Sequence, residues 1–298
     1  MTAVRVRVPA SSANLGPGFD SLGLALSLYD EVEACVAADG VHVEVLGEGA
    51  GEVPCGEAHL VVRAMRAAWS HFGDAPPGLR LRCRNAIPHS RGLGSSAVAA
   101  VAGAVAAAAL AGRDLELERA ALLQLTAGME GHADNAAASL LGGFVIAWES
   151  SGGNIAQRYS AVRLDAHRSI IPVVLIADVE SSTVTTRGLL PDRVPLVDAA
   201  FTGSRTALAV LAFTQRPELL LPATEDRLHQ GYRRPAYPAS ADLVDALRSH
   251  GTPATISGAG PTVLALTVDG RLPAGVDLRG FAPCVLPVDT GGVRVETG

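Results

Sequence analysis

The sequence predicts an α+β or mixed α/β fold, and three features of its 298 residues support that prediction. Short segments with alternating apolar residues, typical of strands with one buried face, recur along the chain. Apolar stretches of helical length lie between them. Hydrophobic residues make up 48% of the chain and charged residues 18%, which allows a sizeable core and argues against disorder.

Strands are predicted where apolar residues alternate with polar ones. The first is Val4–Val8, whose valines alternate with Arg5 and Arg7 and which ends at Pro9. The same criterion, or a short apolar run, predicts strands over 22–36, 41–46, 79–87, 144–149, 155–162, 170–179, 254–256, 263–268 and 284–288.

Helices are predicted from start and stop signals. Gly73 ends a helix that begins near His59. Asp114 is a good N-cap for a helix that runs to about Ala127 and breaks at Gly128. Further helices are predicted over 131–142, 197–213 and 240–250.

The length favours two domains of ordinary size over one large domain. Polar residues and glycines at Ser150–Gly153 separate two apolar segments, so the boundary is predicted there. We therefore divide the chain into an N-terminal domain of residues 1–152 and a C-terminal domain of residues 153–298.

The stretch from Pro88 to Leu110 is the centre of the predicted site. A turn of Gly92, Gly94, Ser95 and Ser96 precedes an alanine- and valine-rich helix. The first amides of a helix lack intrahelical partners, the peptide dipoles make that end partly positive, and glycines let a ligand approach. This favours an anion site, most naturally for phosphate. The alternative is a plain turn capped by Ser95 or Ser96.

Charge and cysteine usage exclude several classes of function. The net charge of -6 argues against nucleic acid as the main partner. The chain has no lysine, so a cation that holds a phosphate or carboxylate must be an arginine, a helix end or a metal. Four scattered cysteines without a C-x-x-C pair suggest reduced structural thiols. The N-terminus lacks an apolar signal segment, and the apolar run after Pro88 is mostly alanine, so no membrane span is expected.

Three glycine-rich segments stand out: ANLGPGFDSLG at 13–23, PHSRGLGSSA at 88–97 and SGAGPT at 257–262. Their order and spacing resemble the galactokinase, homoserine kinase, mevalonate kinase and phosphomevalonate kinase superfamily. Within it, the chain resembles the homoserine kinases at PASSANLGPGFD (9–20), EGHADN (130–135), 183–187 with 189–191, and LHQGYR (228–233).

The resemblance implies a fold of two α+β parts, the first similar to the second domain of ribosomal protein S5 and the second ferredoxin-like. It implies ATP-dependent phosphorylation of the side-chain hydroxyl of L-homoserine, which gives O-phospho-L-homoserine on the route to threonine. Expected partners are L-homoserine, ATP and Mg²⁺, with no nucleic acid and no membrane. A cytoplasmic homodimer is also implied.

The resemblance assigns the phosphate and metal side of the site. The Ser96 hydroxyl and the Glu130 carboxylate are the expected Mg²⁺ ligands, in keeping with the preference of Mg²⁺ for few protein ligands. ATP contacts are expected from Pro88, Arg91, Gly92, Leu93, Gly94, Ser95, Ser96, Ala97, Thr183, Gly258, Gly260 and Thr262.

A substrate carboxylate is best held by arginine, which presents paired donors in one plane. Arg187 and Arg233 match the family's substrate arginines, although the adjacent Arg234 leaves a one-residue slip open. The expected substrate contacts are Asn14, Asp20, His132, Asn135, Arg187 and Arg233, with Asp20 on the ammonium. The expected catalytic residues are Asn14, Glu130, Asn135 and Arg187.

Two departures affect these expectations. Mevalonate kinases carry an aspartate proposed as catalytic base where this chain has Asn135, whose amide does not accept a proton usefully. The hydroxyl proton is therefore expected to leave to phosphate or water, with the neighbouring Asp134 pointing away. His59 stands where the family leads us to expect asparagine, which leaves the adenine contact open.

Other functions stay open. One is a related kinase that acts on another small hydroxy acid, and another is a catalytically silent sensor of ATP and a metabolite on the same fold. A dinucleotide-binding oxidoreductase fits poorly, because Gly92 and Gly94 are followed by Ala97 rather than by the third glycine of that motif.

Overall fold

Two β-sheets organise the described part of the chain, which comprises residues 3–73, 75–150, 158–181 and 186–297 of a computed structural model. The strands are β1 (Ala3–Ala13), β2 (Leu22–Ala37), β3 (Val41–Gly47), β4 (Gly78–Asn85), β5 (Phe144–Glu149), β6 (Tyr159–Leu164), β7 (Ile171–Ala177), β8 (Ala254–Ile256), β9 (Val263–Thr267), β10 (Phe281–Val285) and β11 (Arg294–Thr297). The first sheet has the order β11-β1-β2-β4-β3, with β5 paired to β2 and β6 to β5. The second has the order β10-β7-β9-β8.

The helices predicted near 59–72, 95–110, 114–127, 131–142, 197–213 and 240–250 are all present, and two short helices over 220–223 and 230–233 were not predicted. The helices are α1 (Leu60–Phe72), α2 (Ser95–Leu110), α3 (Leu115–Glu130), α4 (Asp134–Leu141), α5 (Leu196–Thr214), α6 (Leu220–Ala223), α7 (Gln230–Arg233) and α8 (Pro238–Ser249). Sheet and helix segments together confirm the α+β class.

Strand β1 continues past Pro9, so the prediction that it ends there is wrong. The pairing of β1 with β2 shifts register between Pro9 and Ala10, and such an irregularity accommodates a residue that cannot donate a ladder hydrogen bond. As a result β1 runs as far as Ala13, and Asn14 follows directly at a positive φ of 67°.

Helix α3 does not break at Gly128, which also corrects the prediction. One glycine costs a helix interior about 1 kcal/mol, and packing readily offsets such a cost. The helix instead ends at Gly131, whose φ is 82° and whose N–H donates to the carbonyl of Ala127. The extra turn makes Glu130 the last residue of the helix.

Helix α2 is the buried centre of the larger core. Its residues from Ala97 to Ala108 are almost all buried, and it packs against α1, α3, α4 and β1. Its small side chains let neighbouring elements approach closely, as at Gly103, where an added Cβ would lie 2.3 Å from the carbonyl oxygen of Val61.

Two segments from the second half of the chain join the first sheet. Strand β6 pairs antiparallel with β5, and β11, which the sequence did not predict, pairs antiparallel with β1. The strand expected near 284–288 lies slightly earlier, as β10. The division into 1–152 and 153–298 stays a prediction, because residues 151–157 lie outside the described ones.

Among the described helices, α5 is long and apolar enough by composition to cross a membrane. One such helix is weak support for a span, and α5 contributes its own apolar residues to the protein core. Ala209, Ala212 and Phe213 are buried, and the Phe213 ring stacks on Phe144 with 4.9 Å between ring centroids.

Candidate active site

A cavity of about 650 Å³ lies at the amino end of α2. Gly94, the residue before α2, has a φ of 71°, and no side chain caps the helix, so the alternative of a turn capped by Ser95 or Ser96 is not what the structure contains. Among the predicted nucleotide contacts, the cavity is lined by Pro88, Arg91, Gly92, Leu93, Gly94, Ser95, Ser96, Gly258 and Gly260. A second cavity of similar volume, near Glu33 and Arg80, has none of the predicted site residues in its lining.

The remaining predicted nucleotide contacts lie elsewhere. Ala97 and Thr262 are fully buried and do not belong to the lining of this cavity in the described part of the chain. The Thr262 N–H donates to the carbonyl of Arg91 at 3.4 Å, so this residue supports the turn from behind. Thr183 lies outside the described residues.

Close contacts bring the three glycine-rich segments together. A Cβ on Gly92 would lie 2.2 Å from the carbonyl oxygen of Ser257. A Cβ on Gly94 would lie 2.3 Å from Ser11 Oγ and 2.9 Å from Asn135 Nδ2. Glycine at both positions is therefore required by space as well as by their positive φ.

Asn14 joins the first and third of these segments. Its Nδ2 donates to the carbonyl of Gly258 at 2.8 Å, and its Oδ1 accepts from the N–H of Asp20 at 3.0 Å. The side chain is buried and is not part of the described cavity lining. In this structure Asn14 therefore ties two loops together, although the sequence predicts a substrate contact.

The two predicted metal ligands meet at the edge of the cavity. Ser96, in the first turn of α2, donates its Oγ–H to Glu130 Oε2 at 2.7 Å, and both residues line the cavity. No cluster of three or more potential metal-ligating side chains occurs among the described residues. A hydroxyl and a carboxylate are hard oxygen donors, and Mg²⁺ commonly takes only one or two protein ligands beside phosphate oxygens and water. The donor set therefore fits Mg²⁺.

His132 and Asn135 also line the cavity, at the start of α4. His132 Nδ1 lies 2.8 Å from Asp134 Oδ1, which also accepts the N–H of Asn135 at 2.8 Å. Burial alone would lower the pKa of His132, but the hydrogen bond and charge of Asp134, with Asp20 and Glu130 nearby, raise it above the usual value. Asp134 is buried and absent from the described lining, whereas the Asn135 amide donates to Ser11 Oγ at 3.0 Å.

Both predicted substrate arginines lie beside the ring of Phe19. The guanidinium carbon of Arg187 is 5.3 Å from the ring centroid, and that of Arg233 is 5.2 Å away. Arg187 makes a bidentate ion pair with Asp20 at 2.8 and 2.9 Å. The two guanidiniums are close enough that the charge of Arg187, after the larger effect of burial, lowers the pKa of Arg233.

Arg233 and Arg234 have opposite surroundings. Arg233 is 1% exposed, and no described carboxylate lies within 4.0 Å of it. Arg234 has a half-exposed side chain and pairs on the surface with Asp242 and Asp245. A buried guanidinium without a counter-ion is costly unless a ligand supplies one, so the structure favours Arg233 over the one-residue slip.

Comparison with known proteins identifies the family. Models of the GHMP kinases N terminal domain and GHMP kinases C terminal match residues 59–143 and 206–273. Homoserine kinase of Streptomyces coelicolor is 57% identical over 89% of this chain and 84% of its own length. Homoserine kinase of Streptomyces avermitilis is 53% identical over 98% and 95%. The chain belongs to the homoserine kinase family.

Solved structures agree with membership of the homoserine kinase family. A homoserine kinase structure from Cytophaga hutchinsonii has a TM-score of 0.85 at 26% identity and covers 99% of this chain and 97% of its own. Phosphomevalonate kinase from Streptococcus pneumoniae shares the fold, with a TM-score of 0.69 at 16% identity over 90% and 93% of the two chains. The predicted two-domain kinase fold and the predicted enzyme class are confirmed.

Asp30 is a residue of this homoserine kinase family member that sequence reasoning missed. It lines the cavity from β2, is 5% exposed, and its Oδ1 accepts the N–H groups of Ala86 at 2.7 Å and Ile87 at 2.9 Å. These amides immediately precede the phosphate turn, so Asp30 holds the start of that turn. Burial raises the pKa of Asp30 to about 6 despite these two hydrogen bonds. A lone aspartate in a strand pattern gives no sequence signal for this role.

We expect Asp30 to make folding stability fall as pH rises from about 4 to 6. The pKa of Asp30 in the folded state lies above the ordinary aspartate value of 3.8, so the folded state retains a proton that the unfolded state releases in this window. The loss amounts to about 3 kcal/mol for a shift of about two units. Asp30→Asn keeps an oxygen acceptor for both amides and should remove this slope. The thermal unfolding midpoint of both proteins, followed against pH, checks this.

The exposed Asp39 on the turn after β2 gives a matched control, since Asp39→Asn should leave the wild-type pH profile unchanged. If the midpoint of Asp30→Asn keeps the wild-type slope between pH 4 and 6, the buried carboxylate does not have the proposed influence.

Proposed function

We propose that the protein transfers the γ-phosphoryl group of ATP to the side-chain hydroxyl of L-homoserine and forms O-phospho-L-homoserine, a step toward threonine. The observation that supports this most is the uncapped amino end of α2, which lines a cavity beside the Ser96–Glu130 pair. His132 lines the same cavity and lies near Asp20, which pairs with Arg187. The proposed phosphate site at the amino end of α2 thus lies near Asp20 and Arg187, whose charges complement the ammonium and carboxylate of an amino acid.

The triphosphate fits the turn and the first amides of α2. The residues from Gly92 to Ser96 line the cavity and offer backbone N–H groups at the positive end of the helix, and both the amides and the helix dipole favour an anion there. The lining of the same cavity also includes the apolar side chains of Val53, Pro54 and Ala99, which suit a flat base. His59 lines this cavity too, and its buried Nδ1 has no hydrogen-bond partner among the described residues.

We expect His59→Leu to raise the KM for ATP about fivefold and to leave the KM for homoserine unchanged. A buried imidazole nitrogen without a protein partner gains a hydrogen bond when a base binds, and leucine fills the volume without that bond. Steady-state kinetics measures both constants. His42→Leu, at an exposed position on β3, is the control, and an unchanged KM for ATP in His59→Leu would remove His59 from the base site.

Mg²⁺ would be held by the Ser96 hydroxyl and the Glu130 carboxylate, whose oxygens already lie 2.7 Å apart. When bound there it would neutralise charge on the phosphate oxygens. The chain has no lysine and Arg91 donates to the carbonyls of Ala177, His89 and Asp178. Helix amides and the metal are therefore the main source of positive charge that we propose for the phosphates.

The amino-acid end of L-homoserine fits the cluster of Asp20, Arg187 and Arg233. A zwitterion carries the two charges that complement a carboxylate and a guanidinium, so it can enter the exposed Asp20–Arg187 pair with its ammonium on Asp20. Its carboxylate would then lie between Arg187 and the buried Arg233. In this arrangement the substrate supplies the counter-ion that Arg233 lacks among the described residues.

Transfer needs the homoserine oxygen in line with the γ-phosphorus. The new O–P bond forms as the bond from the γ-phosphorus to the bridging oxygen of ADP breaks, and the hydroxyl proton is released. Asn135, the side chain at the predicted base position, cannot take that proton, and Asp134 is already engaged by His132 and the Asn135 N–H. We therefore propose that no carboxylate base takes part and that the proton leaves to phosphate or water.

A coupled ADP-release assay tests the function. We expect release that depends on Mg²⁺ and L-homoserine, with much weaker release on L-serine, L-threonine or mevalonate. Preference for another of these acceptors would support a related small-molecule kinase. Binding of ATP and homoserine without any ADP release would support a silent sensor.

We also propose a cytoplasmic homodimer, on the family resemblance alone. Sedimentation equilibrium of the purified protein would give twice the chain mass if this is correct and the chain mass if it is not.

A further inference from the structure

A buried polar network lies behind Arg233, and its centre is His229. This histidine is 0% exposed and is the residue immediately before α7, whose last residue is Arg233. His229 Nε2 lies 2.7 Å from the carbonyl oxygen of Gly16, and His229 Nδ1 lies 3.4 Å from Arg233 Nη1. Both ring nitrogens are therefore engaged.

The partners fix the tautomer of His229. A carbonyl oxygen can only accept, so Nε2 carries the hydrogen. A guanidinium can only donate, so Nδ1 must present its lone pair to Arg233. One neutral tautomer satisfies both contacts, and a protonated ring would lose the second contact and place a cation next to Arg233.

The groups around His229 are consistent with this neutral form. Burial, with a contribution from the charge of Arg233, lowers the pKa of His229, although Asp226 and Asp20 act in the opposite direction. Asp226 Oδ2 lies 3.6 Å from Nε2 but accepts the backbone N–H groups of His229 at 3.0 Å and Gln230 at 2.8 Å. Asp226 thus anchors the backbone around His229.

His229 also contacts the loop that contains Asp20, the residue proposed to bind the substrate ammonium. Gly16 belongs to the segment that contains Phe19 and Asp20, and the Phe19 and His229 rings have centroids 5.2 Å apart. Gly16 packs closely against Thr224, the residue after α6, because a Cβ added to Gly16 would lie 2.5 Å from the Thr224 carbonyl oxygen. His229 therefore connects this closely packed loop to Arg233.

We propose that His229 is a positioning residue that aims the Arg233 guanidinium at the substrate carboxylate by accepting its Nη1–H through Nδ1. This inference rests on the proposed function, in which Arg233 binds that carboxylate. The other contacts described for Arg233 are the hydrogen bond from Nε to the carbonyl of Thr186 at 3.3 Å and the Phe19 ring, whose centroid lies 5.2 Å from the guanidinium carbon. Among these described contacts, only the one with His229 engages a terminal nitrogen of the guanidinium.

Two substitutions separate the two ring nitrogens. Asn Oδ1 in His229→Asn lies where Nδ1 was and can accept from Arg233, whereas the amide of His229→Gln reaches Gly16 and leaves Arg233 without its acceptor. We expect His229→Gln to raise the KM for homoserine about tenfold, the size of one hydrogen bond to a charged group, and His229→Asn to raise it less than threefold. The KM for ATP should stay unchanged in both.

A purely structural role would raise the KM for homoserine equally in both variants or raise the KM for ATP as well, and either result would overturn the proposal. L-homoserinamide, which lacks the carboxylate charge, gives a second comparison, since His229→Gln should not raise its KM. The Arg233→Lys variant separates the proposed binding role of Arg233 from the proposed positioning role of His229. If Arg233→Lys leaves the KM for homoserine unchanged, the proposed role of Arg233 fails. If Arg233→Lys raises that KM and His229→Gln does not, only the role of His229 fails.

A measurement on the wild-type enzyme needs no variant. With ¹⁵N-labelled imidazole, the His229 signals should show the neutral Nε2–H tautomer at the pH of the assay. An Nδ1–H tautomer or a protonated ring would contradict the proposal, because neither can accept from Arg233.

Discussion

Replacing Glu130 by glutamine is expected to lower kcat by at least about 100-fold without unfolding the protein. The carboxylate accepts the Ser96 hydroxyl at 2.7 Å at the cavity edge, and a neutral amide removes the charge that would hold Mg²⁺ beside the phosphates. The Mg²⁺ concentration that gives half-maximal rate should rise at the same time. ADP release followed across a Mg²⁺ titration measures both quantities.

Glu118→Gln serves as the matched control for Glu130→Gln. Glu118 lies in the first turn of α3, at the opposite end of the same helix, and is not part of the described cavity lining. It should retain wild-type kcat and Mg²⁺ dependence. A Glu130→Gln enzyme with wild-type values for both would show that the Ser96–Glu130 pair is not the metal site.

Replacing Arg233 by lysine is expected to raise the KM for L-homoserine about 100-fold while the KM for ATP changes less than twofold. Lysine keeps the charge but loses the planar fork that binds a carboxylate with two hydrogen bonds. It also loses the contacts of Nε with Thr186 and of Nη1 with His229. Steady-state kinetics with each substrate varied in turn gives the two constants.

The neighbouring Arg234 provides the control for this experiment. Arg234 pairs with Asp242 and Asp245 on the surface, where such pairs contribute little, so Arg234→Lys should behave as the wild type. A rise in the KM for homoserine in Arg234→Lys with none in Arg233→Lys would restore the one-residue slip in the family match.

The sequence predicted the fold well because its strands and helices have strong periodic patterns. The alternation at Val4, Val6 and Val8 appears in the structure as buried valines on β1, and the alanine-rich segment after Gly94 is the buried α2. The wrong predictions were those that ended an element at a single proline or glycine, because tertiary packing outweighed the local preference of that residue. Pro9 was accommodated by a register shift, and Gly128 by the packing of α3.

The candidate site was predictable only in part, for a different reason. Ser96 and Glu130 could be paired from sequence because the family resemblance supplies both positions, and the structure brings them together. No local sequence pattern predicts a contact between residues that are far apart in the chain. Asp30 with Ala86 and His229 with Gly16 are of this kind, since each depends on which distant segments the fold packs together.

Asn14 illustrates how a residue can match a motif and still have a different contact. Its positive φ and its bonds to Gly258 and Asp20 place its amide between two loops. A family motif records the residue type but not whether its side chain faces a ligand or another loop. The structure thus adds a positioning role for Asn14 to the predicted one.

The most direct test of the account is a crystal structure with Mg²⁺, a non-hydrolysable ATP analogue and L-homoserine bound together. We predict the phosphates at the amides of Gly92–Ser96, the metal between Ser96 and Glu130, and the homoserine carboxylate at Arg187 and Arg233. Phosphates bound away from the amino end of α2, or a homoserine carboxylate that contacts neither arginine, would contradict it.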